Sequence, residues 1–292
     1  MGYSSRYHAA SLAAVFLALA IGILIGAGLG GNVLNDTEDS LRKSLEEDLS
    51  DAQSQSDDLR ASLERQREFA TRAYPALVGD RLAGDRVGVI ALGDLPGAVS
   101  DDIEGALDPT GADFGQVSVV RTPPDVPGLA GELKGTAFAK VAKDPAVLEA
   151  LGRRLGSELA QGGGKLVQRT RGVVLARSSG EGEPLNRVIL VRQPPGDLPA
   201  KEDAQLDSLE TGIVEGVRRS GLDAVAVETS DAEDSSVPFF KDRDVATVDD
   251  VDATAGRVAM VFALLGASGD YGVKDTADRL LPELLVPQTS TP

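Results

Sequence analysis

The sequence predicts a single N-terminal transmembrane helix, a coiled-coil stalk and a three-layer α/β domain with a mainly parallel sheet. Three observations predict this architecture. An apolar run begins at Ala9, a heptad pattern follows it, and apolar segments of strand length then alternate with helical segments. The predicted boundaries are a cytoplasmic N-terminus at 1–8, a transmembrane helix at 9–30, a stalk at 31–78, an extracytoplasmic α/β domain at 85–286 and a disordered tail at 287–292.

The first predicted element is the apolar run Ala9–Leu29, which has no charged residue and has Ser11 as its only polar side chain. As a helix it would be ~31 Å long, which matches the ~30 Å hydrocarbon core of a bilayer. Signal peptides have shorter apolar cores of ~7–15 residues, so the run favours an uncleaved anchor. A signal cleaved near 26–28 and a buried helix of a soluble protein are the alternatives.

The charges on either side of the run predict its orientation. Arg6 and the amino terminus precede it, whereas Asp36, Glu38 and Asp39 follow it. Positive charge is retained on the cytoplasmic side of a membrane. We therefore expect a single-pass protein of the cell membrane or envelope, with a cytoplasmic N-terminus and an extracytoplasmic C-terminal domain.

A stripe of small residues runs along the predicted transmembrane helix at a spacing of four. Such stripes let two helices approach closely in lipid, so this one predicts a dimer face, although Gly and Ala are also common in membrane helices generally. The stripe consists of Ala14, Ala18, Gly22, Gly26 and Gly30.

The segment after the membrane helix has apolar residues at most core positions of a heptad repeat, which predicts a short parallel coiled coil. A single amphipathic helix lying on the following domain is the alternative. Pro75 and Gly79 are expected to end the helix. The leucines of the predicted dimer face are Leu45, Leu49, Leu59 and Leu63.

From residue 86 the pattern changes to that of an α/β domain. Continuously apolar strands are typical of a parallel sheet that is covered on both faces. The predicted strands are Val87–Leu92, Val117–Val120, Val188–Val191 and Ala224–Val227, and the predicted helices are Val99–Leu107, Pro145–Leu159, Ala204–Ser220 and about Ala253–Leu265.

The composition excludes several classes of function. A net charge of -17 argues against nucleic acid as a partner, since nucleic-acid binding needs basic patches. The chain has no Cys and its one His is His8, so the outer domain can form neither a thiolate site nor a His-based catalytic triad. Neither Gly93–Gly97 nor Gly162–Lys165 has the spacing of a phosphate-binding loop. We therefore expect a protein that is not an enzyme and carries no cofactor.

Three further features bear on metal or partner binding. The acidic segments Asp231–Asp234 and Asp249–Asp252 are expected to be solvated loops, with a weak surface cation site as the alternative. Met260 lies in an apolar helix and is expected in the core. Tyr271 lies between glycine-containing turns, and we expect it to pack against the sheet rather than to form an exposed partner-binding loop.

Two segments carry a family resemblance. The first is Arg6-Tyr7-His8 together with the apolar residues that follow, and the second is the segment from Gly269 to Pro282. With the stalk between membrane and α/β domain, the chain resembles the actinobacterial copper transporter family MctB, which includes SteB-like cell-separation proteins. The residues carrying the resemblance are Arg6, Tyr7, His8, Gly269, Tyr271, Gly272, Leu281 and Pro282.

The resemblance implies a membrane-anchored envelope protein of copper efflux and copper homeostasis. The SteB-like members imply an alternative: a non-catalytic envelope scaffold that dimerises and binds a SteA-like partner to regulate peptidoglycan hydrolysis and cell separation. The ligand content does not support copper binding, because copper carriers use thiolate, thioether or imidazole groups. The expected partners are thus the membrane, a second copy of the chain and an envelope protein, with copper possible only as a transported ion.

Overall fold

A computed structural model describes residues 5–180 and 182–283, with side chains described at 7–27, 41–180 and 182–283. The chain divides into two compact units between Gln66 and Arg67. The predicted disordered tail at 287–292 lies outside the described residues.

The first helix, α1, runs from Ser5 to Val78. Its apolar part, Tyr7–Ala27, has a mean hydropathy of 2.5, and none of it is buried within the protein. The helix continues through Pro75, contrary to the sequence prediction, and ends before Gly79, whose N–H donates to the Pro75 carbonyl at 2.8 Å. Pro75 is tolerated because the last turns of α1 pack into the core of the second unit, where Tyr74 and Val78 are buried.

Within the residues that the structure describes, seven strands form one sheet in the order β3-β2-β1-β4-β5-β6-β7. All neighbouring strands are parallel except β2 and β3. The chain extends the sheet from β1 in one direction and then crosses to the other side of β1 to form β4, so the strand order reverses between β1 and β4. The strands are β1 Arg86–Gly93, β2 Asp113–Val120, β3 Leu175–Ser179, β4 Arg187–Gln193, β5 Asp223–Val227, β6 Ala246–Val248 and β7 Asp270–Tyr271.

Helices cover both faces of the sheet, which confirms the predicted α/β domain with a mainly parallel sheet. Alternate residues of β1 point to opposite faces: Ile90 and Leu92 contribute to one hydrophobic core, and Val87 and Val89 contribute to the other. The helices after α1 are α2 Gly97–Leu107, α3 Val126–Glu132, α4 Pro145–Ala160, α5 Lys165–Val174, α6 Ala200–Arg219, α7 Val237–Lys241 and α8 Thr254–Leu264.

The four predicted strands and four predicted domain helices are all present. The sequence pattern missed three strands (β3, β6 and β7) and three helices (α3, α5 and α7), each of ten residues or fewer. Elements this short span too few residues for a periodicity to develop. In β3 only Leu175 is buried, because this strand forms one edge of the sheet.

Candidate functional site

A cavity of about 570 Å³ lies at the carboxyl edge of the sheet. The ends of β1, β4 and β5 lead into the loops that line it, so it lies where the strand order reverses. Ligands of open α/β sheets bind at this position, because the loops on either side of the reversal diverge and leave a crevice. The volume is also within the range of ~300–1,000 Å³ that small-molecule sites occupy.

The cavity has an apolar floor and an acidic rim. Val99, Val191 and Val227 form apolar parts of the lining. Six carboxylates and one guanidinium also line it, so its charge is strongly negative. The charged lining residues are Asp102, Glu228, Asp231, Glu233, Asp234, Asp252 and Arg192.

The one basic lining residue already has a carboxylate partner. Arg192 Nε donates to Glu210 Oε2 at 2.7 Å, and Glu210 is fully buried. The Arg192 guanidinium also lies 4.2 Å from the centroid of the Phe239 ring, and the Arg243 guanidinium lies 3.8 Å from the same centroid. Burial raises the pKa of Glu210 to about 7, and Arg192 acts in the opposite direction. This pair therefore fixes Arg192 against the protein.

Two lining carboxylates are also neutralised from within the protein. Asp102 Oδ1 accepts a hydrogen bond from Arg257 at 2.7 Å, and Glu228 Oε1 accepts one from Lys274 Nζ at 2.8 Å. A third lining carboxylate, Asp252, is hydrogen-bonded but not neutralised, because its donors are the amide and the hydroxyl of Ser230. The exposed carboxylates at 231, 233 and 234 form no ion pair among the residues that the structure describes.

The C-terminal family segment is a structural part of this edge. Asp249 is fully buried, and its carboxylate accepts hydrogen bonds from the amides of Val273 and Lys274 at 2.7 and 3.1 Å. Gly272 has φ +137°, and a Cβ there would overlap the Asp249 carboxylate. Glycine is therefore required at this position for two reasons: its φ is positive, and the Asp249 carboxylate leaves no room for a Cβ.

Lys274 ties this turn to the cavity wall. Besides Glu228, its ammonium donates to the carbonyls of Thr229 and Ala232, both at 3.0 Å. Glu228 in turn accepts hydrogen bonds from Ser235 Oγ and from the Ser236 amide, each at 2.7 Å. The loop after β5 is thus held in place by one lysine from the family segment.

The expectation that Asp249–Asp252 is a solvated loop is wrong for Asp249 and Asp250, whereas Asp252 is exposed. Asp249 and Asp250 are 0% and 1% exposed, because they directly follow β6, the short strand that the sequence pattern missed. Both carboxylate oxygens of Asp250 are buried without a hydrogen-bond partner among the described residues. Burial and the neighbouring charges of Asp249 and Asp252 raise the pKa of Asp250 to about 6. Asp231, Glu233 and Asp234 are exposed, as expected.

Tyr271 packs against the sheet, in agreement with the favoured interpretation, and it belongs to strand β7. It is 2% exposed, and its hydroxyl donates to the Ser268 carbonyl at 2.8 Å. Gly269 has φ +136° in the turn before it. Leu281 packs against the same core and Pro282 is buried. These motif residues therefore support the fold around the cavity and do not line it.

The glycine-rich segment at 162–164 is not a phosphate cradle. Glu158 is buried, and its Oε2 accepts hydrogen bonds from the Leu166 and Val167 amides at 2.8 and 3.1 Å. These amides are the free donors of the first turn of α5. The Glu158 carboxylate thus occupies the position where a phosphate would bind. This explains physically why the segment is not a phosphate-binding loop, as the sequence predicted. The sequence offered no separate signal for Glu158.

The residues of the predicted dimer face all lie on α1. The side chains of Leu45, Leu49, Leu59 and Leu63 are 52–61% exposed, and a Cβ added at Gly22 or Gly26 would meet no atom within 4 Å. Tyr7 and His8 are exposed near the start of the helix. The side-chain surroundings of Arg6 and the position of Gly30 in the stripe fall outside the described side chains. No second chain is described, so the dimer stays a prediction.

The described residues hold no group of three or more His, Cys, Asp or Glu that could bind a metal ion. Met260 is fully buried in the core, as predicted. The only His, His8, precedes the apolar part of α1. The described part of a single chain therefore does not fit the thiolate, thioether and imidazole coordination that copper prefers.

Comparison with known proteins identifies similarity over nearly the whole chain. A family model described as "Copper transport outer membrane protein, MctB" matches residues 3–282. Curated proteins named "Copper transporter MctB" from Mycobacterium tuberculosis and Mycobacterium bovis are each 27% identical to this chain. Each alignment covers 92% of this chain and 96% of the relative.

Proposed function

Because the chain belongs to the MctB family, we propose that it takes part in copper efflux and copper homeostasis as a membrane-anchored envelope protein. The observation that carries this proposal is the extent of the family match, which covers residues 3–282 and so includes both the apolar helix and the α/β domain. A match to the α/β domain alone would describe only a fold that many unrelated functions share.

We propose that Tyr7–Ala27 anchors the protein with its N-terminus in the cytoplasm. Apolar side chains on this segment, such as Leu24 at 74% exposure, would be covered by lipid. The preceding Arg6 and the acidic residues after the helix support this orientation. The family description places relatives in the outer membrane, whereas a cytoplasmic N-terminus requires the cytoplasmic membrane, so the description supports only an envelope location.

We further propose a parallel homodimer that is not an enzyme and carries no cofactor. The small residues at 14, 18, 22, 26 and 30 and the exposed leucines of α1 support pairing along one helix. The lack of any His in the α/β domain supports a role without acid–base catalysis by histidine. An envelope protein is the proposed further partner, and the SteB-like scaffold alternative receives no support from the comparisons.

Copper enters this proposal as the transported ion and not as a resident cofactor. A strain that lacks the gene should accumulate copper and grow poorly on copper, and the full chain should restore both properties. Normal copper content and tolerance in the deletion strain would contradict the proposal.

A double variant separates copper transport from copper coordination by side chains of this chain. We expect His8→Ala combined with Met260→Leu to restore copper tolerance as well as the unaltered chain, because the described residues form no soft-ligand site. Loss of tolerance at normal protein abundance would show that one of these two side chains contacts copper. The single variants would then identify which one.

A further inference from the structure

We propose that the cavity at the carboxyl edge of the sheet binds a small organic cation, an amine or guanidinium carried on a short aliphatic frame. This inference concerns the α/β domain and does not depend on the proposed role in copper efflux. It follows from three properties of the cavity: its position, its apolar floor and the distribution of charge around it.

The position and size of the cavity indicate a ligand site. It opens where the strand order reverses between β1 and β4, and its volume is about 570 Å³. The wall formed by the loop after β5 is fixed by hydrogen bonds from Lys274 and to Glu228, as described above. A cavity whose wall is held in place loses little conformational entropy when a ligand enters.

The charge distribution selects a cation. The basic group that lines the cavity, Arg192, and the two that bind its lining carboxylates, Arg257 and Lys274, are each paired with a carboxylate of the protein. The exposed carboxylates Asp231, Glu233 and Asp234 on the rim form no ion pair among the described residues. They therefore leave a negative potential at the mouth, which would attract a positive ligand.

The N-terminus of helix α2 opposes the negative potential of the rim. Helix α2 begins beside the cavity with Gly97, and no side chain caps its N-terminus. A helix N-terminus carries only about half of one positive charge. Three unpaired carboxylates exceed it, so the net potential at the rim remains negative.

The floor selects an organic ligand over a metal ion. Val99, Val191 and Val227 line it, and such side chains offer contact to methylene groups but no ligand atom to a metal. No group of metal-binding residues occurs among those the structure describes. A short methylene chain with an ammonium at each end would lay its methylenes across the valines and place both charges among the carboxylates of the lining.

Calorimetric titration of the full-length protein in detergent tests the proposal with 1,5-diaminopentane as the probe. Pentanedioate, with the same number of carbons and the opposite charge, is the matched control ligand. We expect saturable binding of the diamine and none of the dianion. Absence of diamine binding, equal binding of pentanedioate, or displacement of the diamine by equimolar Mg²⁺ would overturn the proposal.

Three variants locate the binding. Replacing the rim carboxylates together (Asp231→Asn, Glu233→Gln and Asp234→Asn) should weaken diamine binding about tenfold or more, since it removes the exposed negative charges that attract the ligand. The same charge change on exposed stalk residues (Asp48→Asn, Asp58→Asn and Glu64→Gln) should leave binding unchanged. Equal weakening in both variants would show that only net charge matters and would refute the site. Ala98→Phe, at an exposed lining position of α2, should block binding sterically.

Discussion

Asp250 shows how a single side chain couples the fold to pH. Its carboxylate is buried without a partner, and its pKa is raised from 3.8 to about 6. Folding therefore takes up a proton between about pH 4 and pH 6, and the protonated form is favoured in the folded state. The free energy of unfolding contributed by Asp250 is complete below pH 4 and is lost as the pH rises through 6.

We expect Asp250→Asn to stabilise the protein at pH 8 by about 1–3 kcal/mol, because it removes a buried charge. The difference from the unaltered chain should shrink as the pH falls below 6, where Asp250 is already neutral. Denaturant unfolding at pH 8 and pH 4.5 measures both values. A stability difference that does not change with pH would contradict the raised pKa.

Gly272 is a second residue whose identity is set by its surroundings. Gly272→Ala should destabilise the α/β domain by about 2–4 kcal/mol, because Ala is strained at φ +137° and its Cβ would displace the buried Asp249 carboxylate. Gly105→Ala on α2 is the matched control, since an added Cβ there meets no atom within 4 Å. We expect the control to be neutral or slightly stabilising. Thermal unfolding of the two variants tests the contrast, and equal stability losses would contradict it.

At the scale of the elements, the predicted pairing of two α1 helices can be tested directly. The chain has no Cys, so a single introduced Cys reports on pairing without background. Ser56 follows Leu49 by seven residues and so lies at a core position of the predicted heptad, whereas Ser54 lies on the opposite side of the helix. We expect Ser56→Cys to form a disulfide-linked dimer in membranes and Ser54→Cys to do so far less. Equal crosslinking at both positions would contradict a parallel coiled coil in this register.

The membrane part of α1 allows a separate test of the small-residue stripe. In the background of Ser56→Cys, Gly26→Ile should reduce crosslinking, because the larger side chain separates the paired backbones. Ala20→Ile adds bulk on the opposite face and should have little effect. If Gly26→Ile crosslinks as well as its parent, the stripe does not form the dimer face.

Some strands could be predicted from their own residues, whereas others depend on the strands that they pair with. Strands β1, β4 and β5 were predicted because they are central and apolar on both faces. Strands β6 and β7 have three and two residues, and they are strands only because β6 pairs with β5 and β7 pairs with β6. Because β6 was missed, the aspartates after it were misassigned to solvent. The carboxyl-edge cavity could not be predicted either, since it depends on the strand order and on contacts between residues far apart in the sequence, such as Lys274 and Glu228, which are 46 residues apart.

At the scale of the whole molecule, the chain combines an apolar helix suited to lipid with an acidic α/β domain. The net charge of -17 lies largely in the residues after the apolar run, whereas Arg6 and the amino terminus precede it. Moving the acidic part into the cytoplasm would leave the basic end outside, against the charge bias of membrane insertion. The charge distribution therefore predicts that the N-terminus lies in the cytoplasm and that the α/β domain lies outside it.

Single cysteines test this topology in spheroplasts with a membrane-impermeant maleimide. We expect Ser54→Cys to be labelled in intact spheroplasts, because it follows the membrane helix. Ser5→Cys, which precedes the helix, should be labelled only after the membrane is permeabilised. The reverse pattern would place the α/β domain and its acidic cavity in the cytoplasm. Labelling of both positions without permeabilisation would instead show that the apolar helix does not span the membrane.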